Sequence, residues 1–240
     1  QFQNIFAGIF VGSDFTDCII DGNTFANIVK PLAEPSDGAA VYLDGALARV
    51  RVANNLIDGY SPVNTEWTIA DGIVLKGSAS DLLIDVSVIG NTVTRCRSGI
   101  LVRGNASNFA THVQIKANDI SYCTYADTPY NALTFADSGA KGIGVDYASH
   151  ISIQDNAVSN IGLMRFDDGS VATLGPSNVS SNGVFTYNTY PVTIAGNTIS
   201  GLNATTGGES HGIHAVYVTT GVVGMGGVVV NRKHPKHHKN

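Results

Sequence analysis

One short pattern recurs along this chain and constrains its fold more than any other feature. Its most complete copy is VSVIGNTVTRCRSGILVRGNA (86–106), in which an apolar strand, an asparagine turn and a second apolar strand follow one another. The first half occurs six times and the second half seven times, in strict alternation. Both halves alternate apolar and polar residues with period two, which predicts strands of about three to five residues. The turn asparagines of the six first halves are Asn23, Asn55, Asn91, Asn118, Asn156 and Asn197.

Such short strands predict a solenoid. A strand of this length cannot bury its apolar side alone, so the copies must stack and share one core. The turn asparagines are 27 to 41 residues apart, which excludes a rigid helical repeat and fits β-coils joined by loops of different length. Equivalent strands then pair in parallel, about 4.8 Å apart, and the asparagines form a ladder along the axis. We interpret these asparagines as structural, because Asn tolerates left-handed backbone and hydrogen-bonds its own turn.

The order of the two half-patterns resembles a known superfamily. An x-I-x-x-N-x-I-x segment followed by a G-I-x-V strand is similar to the right-handed parallel β-helix, or pectate-lyase-like, superfamily over about residues 6 to 218. The resemblance implies an all-β fold, a single-stranded right-handed parallel β-helix (solenoid) of about six to seven coils. The superfamily contains pectate lyases, polygalacturonases, alginate lyases, mannuronan epimerases, phage tailspikes and non-catalytic surface proteins. The fold therefore narrows the substrate class without naming the reaction.

Composition and charge agree with one solenoid. With 240 residues, of which 43% are apolar, the chain can bury one long core, and we place the β-helix domain at residues 1–218. We expect residues 219–240, Gly-rich and then basic and His-rich, to be a poorly ordered tail. The net charge of −5 lacks the basic footprint of a nucleic-acid-binding protein. No apolar run is long enough to span a bilayer. Because the chain begins at Gln1 and enters a strand almost at once, we expect a fragment or a processed product.

The cysteines indicate neither a disulfide framework nor a metal site. The chain has three, Cys18, Cys96 and Cys123, and no CxxC pattern. Cys96 and Cys123 fall five residues after the turn asparagine in consecutive coils, so we expect them to stack as small buried hydrophobes, with a disulfide as the alternative. No cofactor is indicated. Calcium binding is not excluded, but nothing in the sequence indicates it, since no calcium-binding nonapeptide repeat occurs.

Five long insertions are predicted at a single corner of the coil. They follow the strand after the asparagine turn, and insertions confined to one corner of a repeat protein form a ridge that is often the binding side. In the superfamily that the chain resembles, this corner and the adjacent sheet form the polysaccharide cleft. The insertions are residues 29–37, 61–71, 124–141, 162–182 and 203–211.

The Gly-Ile strands carry a column of outward-facing residues beside this ridge. The first and third residues after the glycine are apolar and point inward, so the second and fourth point outward. Aromatic side chains and cations in the fourth position suit an anionic sugar. The alternative is a solvated sheet face on which neighbouring charges pair. The fourth position reads Gly12, Tyr42, Lys76, Arg103, Asp146, Tyr187 and Val216.

Two reactions fit this column. In β-elimination from a uronic acid polymer, Lys76 or Arg103 neutralises the substrate carboxylate while another group removes the adjacent proton. In hydrolysis, two carboxyl groups lie about 5 to 10 Å apart, so Asp146 needs a partner from a loop. The candidate partners are Asp137, Asp167 and Asp168, and His150 or His211 can serve as acid or base in either reaction. We predict Lys76, Arg103 and Asp146 as catalytic residues and Tyr42, Tyr187, Asp167, Asp168 and His211 as substrate-binding residues, with no metal ligand.

Enzymatic activity stays open, because specific signatures are absent. The Asp-Pro-His motif of mannuronan epimerases does not occur, and SHG (210–212) is only a fragment of the polygalacturonase set. We therefore expect a secreted, cell-surface or virion-associated protein that binds a polysaccharide and cleaves it as a lyase or hydrolase. The alternative is a non-catalytic adhesin, tailspike or structural surface protein, forming a homo-oligomer such as a trimer. An apolar second outward position favours that alternative, since it indicates cover by loops or another subunit. This position reads Phe10, Ala40, Val74, Leu101, Gly144 and Phe185.

Overall fold

The chain folds into stacked β-coils. The computed structural model describes residues 2–3, 7–12, 14–31, 38–59, 67–77, 82–124, 139–172, 180–216 and 221–224. Within these ranges the secondary structure is β-strand without any helix, so no described segment is a helix that could cross a membrane. In chain order the strands are β1 (Phe2–Gln3), β2 (Ala7–Val11), β3 (Phe15–Thr16), β4 (Ile19–Asp21), β5 (Thr24–Pro31), β6 (Ala39–Asp44), β7 (Leu47–Ala53), β8 (Leu56–Gly59), β9 (Trp67–Ile69), β10 (Asp71–Lys76), β11 (Leu83–Ile89), β12 (Thr92–Thr94), β13 (Ser98–Arg103), β14 (Ala110–Lys116), β15 (Asp119–Ser121), β16 (Ala140–Gln154), β17 (Ala157–Ser159), β18 (Met164–Arg165), β19 (Val171–Ala172), β20 (Ser181–Thr189), β21 (Val192–Ala195), β22 (Thr198–Ser200), β23 (Ser210–Val216) and β24 (Gly221–Gly224).

Equivalent strands of successive coils pair in parallel and form three sheets. The first sheet is β2-β6-β10-β13-β16-β20-β23, the second contains β3, β4, β7, β11, β14, β16, β21 and β24, and the third is β1-β5-β8-β12-β15-β17-β22. The long β16 continues around the corner between the first and second sheets. Two antiparallel pairs also occur: the last residues of β5 pair with β9, and β18 pairs with β19. The predicted parallel β-solenoid is confirmed.

The inward side chains form one apolar core. In the first sheet Ile73, Ile100 and Ile143 are register partners and are fully buried. In the second sheet Val86 and Val113 pair in the same way and are equally buried. Because each side chain packs on its equivalents in the coils before and after, the core continues along the axis instead of closing within one coil.

The turn asparagines form the predicted ladder. Asn91 Oδ1 accepts hydrogen bonds from the backbone N–H of Asn55 at 3.0 Å and from its Nδ2 at 2.9 Å, and Asn91 Nδ2 donates to Val52 O at 3.0 Å. The same contacts link the asparagines at positions 23, 55, 91, 118, 156 and 197 in order. The ladder is confirmed, but its physical basis differs from the one expected. The side chains bond chiefly to the neighbouring coil, and the left-handed residues are those that precede the asparagines: Gly22, Asn54, Gly90, Ala117, Asp155 and Gly196.

The cysteines and the C-terminal segment complete the fold. Cys96 and Cys123 are buried free thiols, as predicted, and burial raises the pKa of both, which makes them poor nucleophiles.

Toward the C-terminus, β24 pairs with β21 and begins three residues beyond the predicted domain boundary at 218. That boundary stays a prediction, and the His-rich end of the tail lies outside the described residues.

Candidate functional site

The outer face of the first sheet carries three columns of side chains. A Cβ on Gly72 would lie 2.5 Å from Val93 Cγ1 in the core, so this glycine faces inward and the residue before it faces outward. The first column therefore consists of the residues that directly precede the inward position held by glycine in most coils. The middle and third columns consist of the outward residues that alternate with inward apolar residues later in each strand. The first column contains Ala39, Asp71, Ser98, Lys141, Asn182 and His211; the middle column Phe10, Tyr42, Val74, Leu101, Gly144, Phe185 and His214; the third column Asp44, Lys76, Arg103, Asp146 and Tyr187.

The pairing of β6 with β10 shows that the predicted neighbour of Lys76 is wrong. Lys76 pairs with Asp44, whereas Tyr42 pairs with Val74 and belongs to the middle column. Ala40 takes the inward position that glycine holds in later coils, so it does not face outward as predicted. The error is a shift of two residues, which keeps Tyr42 outward and is invisible to a period-two pattern. Ala40 changes side because Ala40 and Val41 are two successive inward residues, as Gly72 and Ile73 are in the next coil. Tyr42 is itself buried, stacked on Phe10 at 5.4 Å, and donates its hydroxyl to Asp44.

The four charges of the third column form two ion pairs. Lys76 Nζ lies 3.0 Å from Asp44 Oδ2, and both side chains are about a third exposed. Arg103 Nε lies 3.6 Å from Asp146 Oδ2, too far for a hydrogen bond. The predicted cations Lys76 and Arg103 are therefore rung neighbours, as expected, and each has an acid on its other side.

Asp146 is the most unusual residue of the column. Its side chain is fully buried, and neither carboxylate oxygen accepts a hydrogen bond from the described residues. Burial raises the pKa of Asp146 to about 6, although the charges of Arg103 and Lys141 and the nearby N–H of Tyr147 act in the opposite direction. A carboxyl group with this pKa exchanges its proton near neutral pH, which suits acid or base catalysis.

Lys141 is a cation that the sequence did not single out. It is 3% exposed, its Nζ donates to Gly139 O at 3.0 Å, and the same Nζ lies 5.1 Å from the centre of the Phe185 ring. On the same strand, Gly144 contributes no side chain to the middle column between Lys141 and Asp146. The signal that could have found Lys141 is the position before each inward glycine, which holds polar residues in five successive coils.

His211 and His214 lie at the C-terminal end of the same outer face. Their ring centres are 4.5 Å apart, and His214 also meets the Phe185 ring edge to face at 5.4 Å. His211 Nε2 pairs with Glu209 at 3.1 Å, while its Nδ1 is buried without a hydrogen-bond partner in the described part of the chain. Because His211 is two coils beyond the strand of Asp146, the structure does not bring the two predicted residues together.

A comparison with protein families decides what kind of solenoid this is. The family model described as a right handed beta helix region matches residues 1–224. The chain belongs to the right-handed β-helix family. No curated protein and no solved structure matches the chain. Membership is consistent with a carbohydrate-active or surface β-helix protein, and it names neither a substrate nor a reaction.

Two further predicted residues of this right-handed β-helix hold a surface hairpin in place. Asp167, between β18 and β19, pairs with Arg95, which also binds Asp58 through Nε and Nη2, both at 2.6 Å. Asp168 Oδ1 accepts hydrogen bonds from the N–H and hydroxyl of Ser170, and these bonds lower the pKa of Asp168. Their contacts are those of turn and anchoring residues. Their predicted role in substrate binding stays a prediction.

Two acid or base candidates remain, His150 and Asp137. His150 is at the corner between the first and second sheets, with its ring 5.1 Å from that of His112. Asp137 lies outside the described residues. Among the residues that the structure describes, no group of three or more His, Cys, Asp or Glu side chains has the arrangement of a metal site.

Proposed function

We propose that this right-handed β-helix binds an acidic polysaccharide along the outer face of its first sheet and cleaves it as a lyase. The observation that carries the proposal is the buried carboxyl of Asp146, which has a raised pKa and, among the described residues, a single ion-pair contact, with Arg103 at 3.6 Å. An ionised carboxyl group at such a position lowers the free energy of unfolding, whereas a neutral residue of the same shape would not. Residues retained at such a cost are candidates for function.

The charges around Asp146 fit β-elimination. Ionised Asp146 would remove the proton from the carbon next to the substrate carboxylate, and Arg103 would neutralise that carboxylate. The electrons of the C–H bond form a new C=C bond, and the glycosidic C–O bond on the neighbouring carbon breaks. The leaving oxygen must gain a proton, and Tyr187, the rung neighbour of Asp146, is the group that we assign to donate it.

Hydrolysis is the less favoured reaction, because it needs a second carboxyl group about 5 to 10 Å from the first. Within the described third column, the rungs on either side of Asp146 carry Arg103 and Tyr187 instead. The carboxylates of Asp167 and Asp168 are engaged at the hairpin.

The third column also sets the expected length of the bound segment. From Lys76 to Tyr187 the column crosses three rung steps, roughly 14 Å, which accommodates about three sugar units. Lys76, Arg103 and Tyr187 are partly exposed and would contact the polymer first. Asp146 is enclosed in this structure, so the proposal requires that substrate binding open access to its carboxyl group.

A panel of uronic acid and neutral polysaccharides tests the proposal. Unsaturated products are measured by ultraviolet absorbance and new reducing ends by a chemical assay. We expect unsaturated product from at least one uronic acid polymer, a loss of about a hundredfold or more in Asp146→Asn, and a loss of about tenfold or more in Arg103→Gln. Arg49→Gln is the matched control, because Arg49 forms an exposed ion pair with Asp17 elsewhere on the coil. New reducing ends without unsaturation would mean hydrolysis and would overturn the lyase assignment.

A non-catalytic surface protein is the second candidate, and the middle column supports it. Val74 and Leu101 face outward yet are only 3% exposed, and with Tyr42 and Ala39 they form a small apolar cluster separate from the core. The single chain already covers this column, so its apolar residues support a structural role for this part of the sheet face. Binding of a polysaccharide without any product, together with a homo-oligomer in solution, would favour this candidate.

A further inference from the structure

Four aromatic side chains form a cluster at the corner between the first and second sheets, just beyond the third column. Phe109 meets Tyr147 edge to face at 5.9 Å and Tyr190 at 5.4 Å, and Tyr147 meets Tyr187 at 5.6 Å. Tyr190 is 45% exposed, and the other three rings are partly exposed. We call Phe109, Tyr147, Tyr187 and Tyr190 the corner cluster.

A short insertion brings Phe109 into this cluster. Asn105 Oδ1 accepts the N–H groups of Ser107 at 2.8 Å and Asn108 at 3.0 Å, and Asn105 N–H donates to Asn108 O at 2.9 Å. This closed turn between β13 and β14 places Phe109 against Tyr147 of the next coil and Tyr190 of the coil after that. Three successive coils therefore contribute rings, and the edge-to-face contacts fix the orientation of each ring.

Position and chemistry together identify what the corner cluster would bind. A row of rings over three coils covers about 10 Å, the length of roughly two sugar units. Sugar rings have apolar C–H faces and hydroxyl edges, and tyrosine offers an apolar ring and a hydroxyl to match them. None of the four side chains carries a charge at neutral pH, so the cluster suits the uncharged face of a sugar.

We propose that the corner cluster is a second sugar-binding subsite, which holds about two units of the polysaccharide next to those on the third column. Tyr187 belongs to both surfaces, since it is the rung neighbour of Asp146 and also contacts Tyr147, so one glycan chain can pass from one to the other. This inference rests on the proposed function, because it assumes that the third column binds the same polymer.

The test compares oligosaccharides of two lengths from a polymer that the parent protein binds. A trimer fills the third column alone, whereas a hexamer reaches the corner cluster. By calorimetry we expect Tyr190→Ala and Phe109→Ala each to weaken hexamer binding about three- to tenfold, as expected for loss of one aromatic contact, and to leave trimer binding unchanged. Tyr190→Phe keeps the ring and should bind hexamer nearly as well as the parent protein. Phe15→Ala is the matched control, because Phe15 is an exposed aromatic residue on the first coil, three coils away from Phe109.

Three other outcomes would overturn the inference. They also show whether the proposed function fails with it. Unchanged hexamer binding in both alanine variants would mean that the cluster only stabilises the corner. An equal loss for trimer and hexamer would mean that the rings support the third column instead of a second subsite. If the parent protein binds neither length of any oligosaccharide, the proposed function fails and the inference fails with it. Thermal unfolding of each variant ensures that a loss of binding is not a loss of fold.

Discussion

The burial of Asp146 predicts a stability that depends on pH in a defined direction. The folded pKa of Asp146 is about 6 and its ordinary value is 3.8, so the folded state holds this proton more tightly than the unfolded state does. The contribution of Asp146 to stability is therefore fully present below its ordinary pKa and is lost as the pH rises through its folded pKa. The loss between pH 4 and pH 8 amounts to about 2 to 3 kcal/mol for this one group.

Asp146→Asn removes this titration and keeps the shape of the side chain. The free energy of unfolding of the variant, relative to the parent protein, should rise by about 2 to 3 kcal/mol between pH 4 and pH 8. Comparing the two pH values cancels any effect that does not depend on pH. The ion pair of Arg103 with the carboxylate at 3.6 Å forms only when Asp146 is ionised, and its effect is already included in the pKa of Asp146. Urea titrations followed by fluorescence at both pH values measure the difference.

A control of opposite sign is available in Asp168→Asn. Hydrogen bonds from Ser170 lower the pKa of Asp168, so its contribution is present above its ordinary pKa and is lost as the pH falls. This variant should therefore be relatively less stable at pH 8 than at low pH. A stability difference for Asp146→Asn that stays constant from pH 4 to pH 8 would refute the assignment of a raised pKa, and with it the physical basis of the proposed catalysis.

Four further substitutions test the fold and the site. Ile100→Ala should lower the free energy of unfolding by about 2–5 kcal/mol, because Ile100 is fully buried. Lys76→Ala removes a partly exposed side chain and should lower it far less. Equal losses in urea unfolding would mean that the inward and outward faces are misassigned. Asn118→Ala leaves the N–H of Asn91 and the carbonyl of Val88 without their partners and should cost about 2–4 kcal/mol, so a loss below 1 kcal/mol would argue against an essential ladder. Arg103→Ala should weaken binding of an acidic polysaccharide at least about tenfold without lowering the unfolding temperature by more than a few degrees, and unchanged binding would place the site elsewhere.

The sequence by itself determined the solenoid and its ladder. Period-two strands too short to bury their own apolar side leave stacking as the only way to build a core, and regularly placed asparagines mark the turns that stack. These are local properties, repeated in each coil, so they can be read without knowledge of distant contacts. The outward direction of Lys76, Arg103 and Asp146 follows from the same alternation.

Only the tertiary structure decided which residues are neighbours and which are buried. The register of Tyr42 depends on Ala40 standing in for a glycine, and a two-residue shift leaves the pattern unchanged. The contact of Phe109 with Tyr190 joins residues two coils apart and depends on a turn whose geometry no repeat encodes. The raised pKa of Asp146 arises from its enclosure on a face that the pattern predicts to be exposed. Burial and register depend on which residues of different coils become neighbours, and insertions of variable length make that alignment independent of position in the sequence.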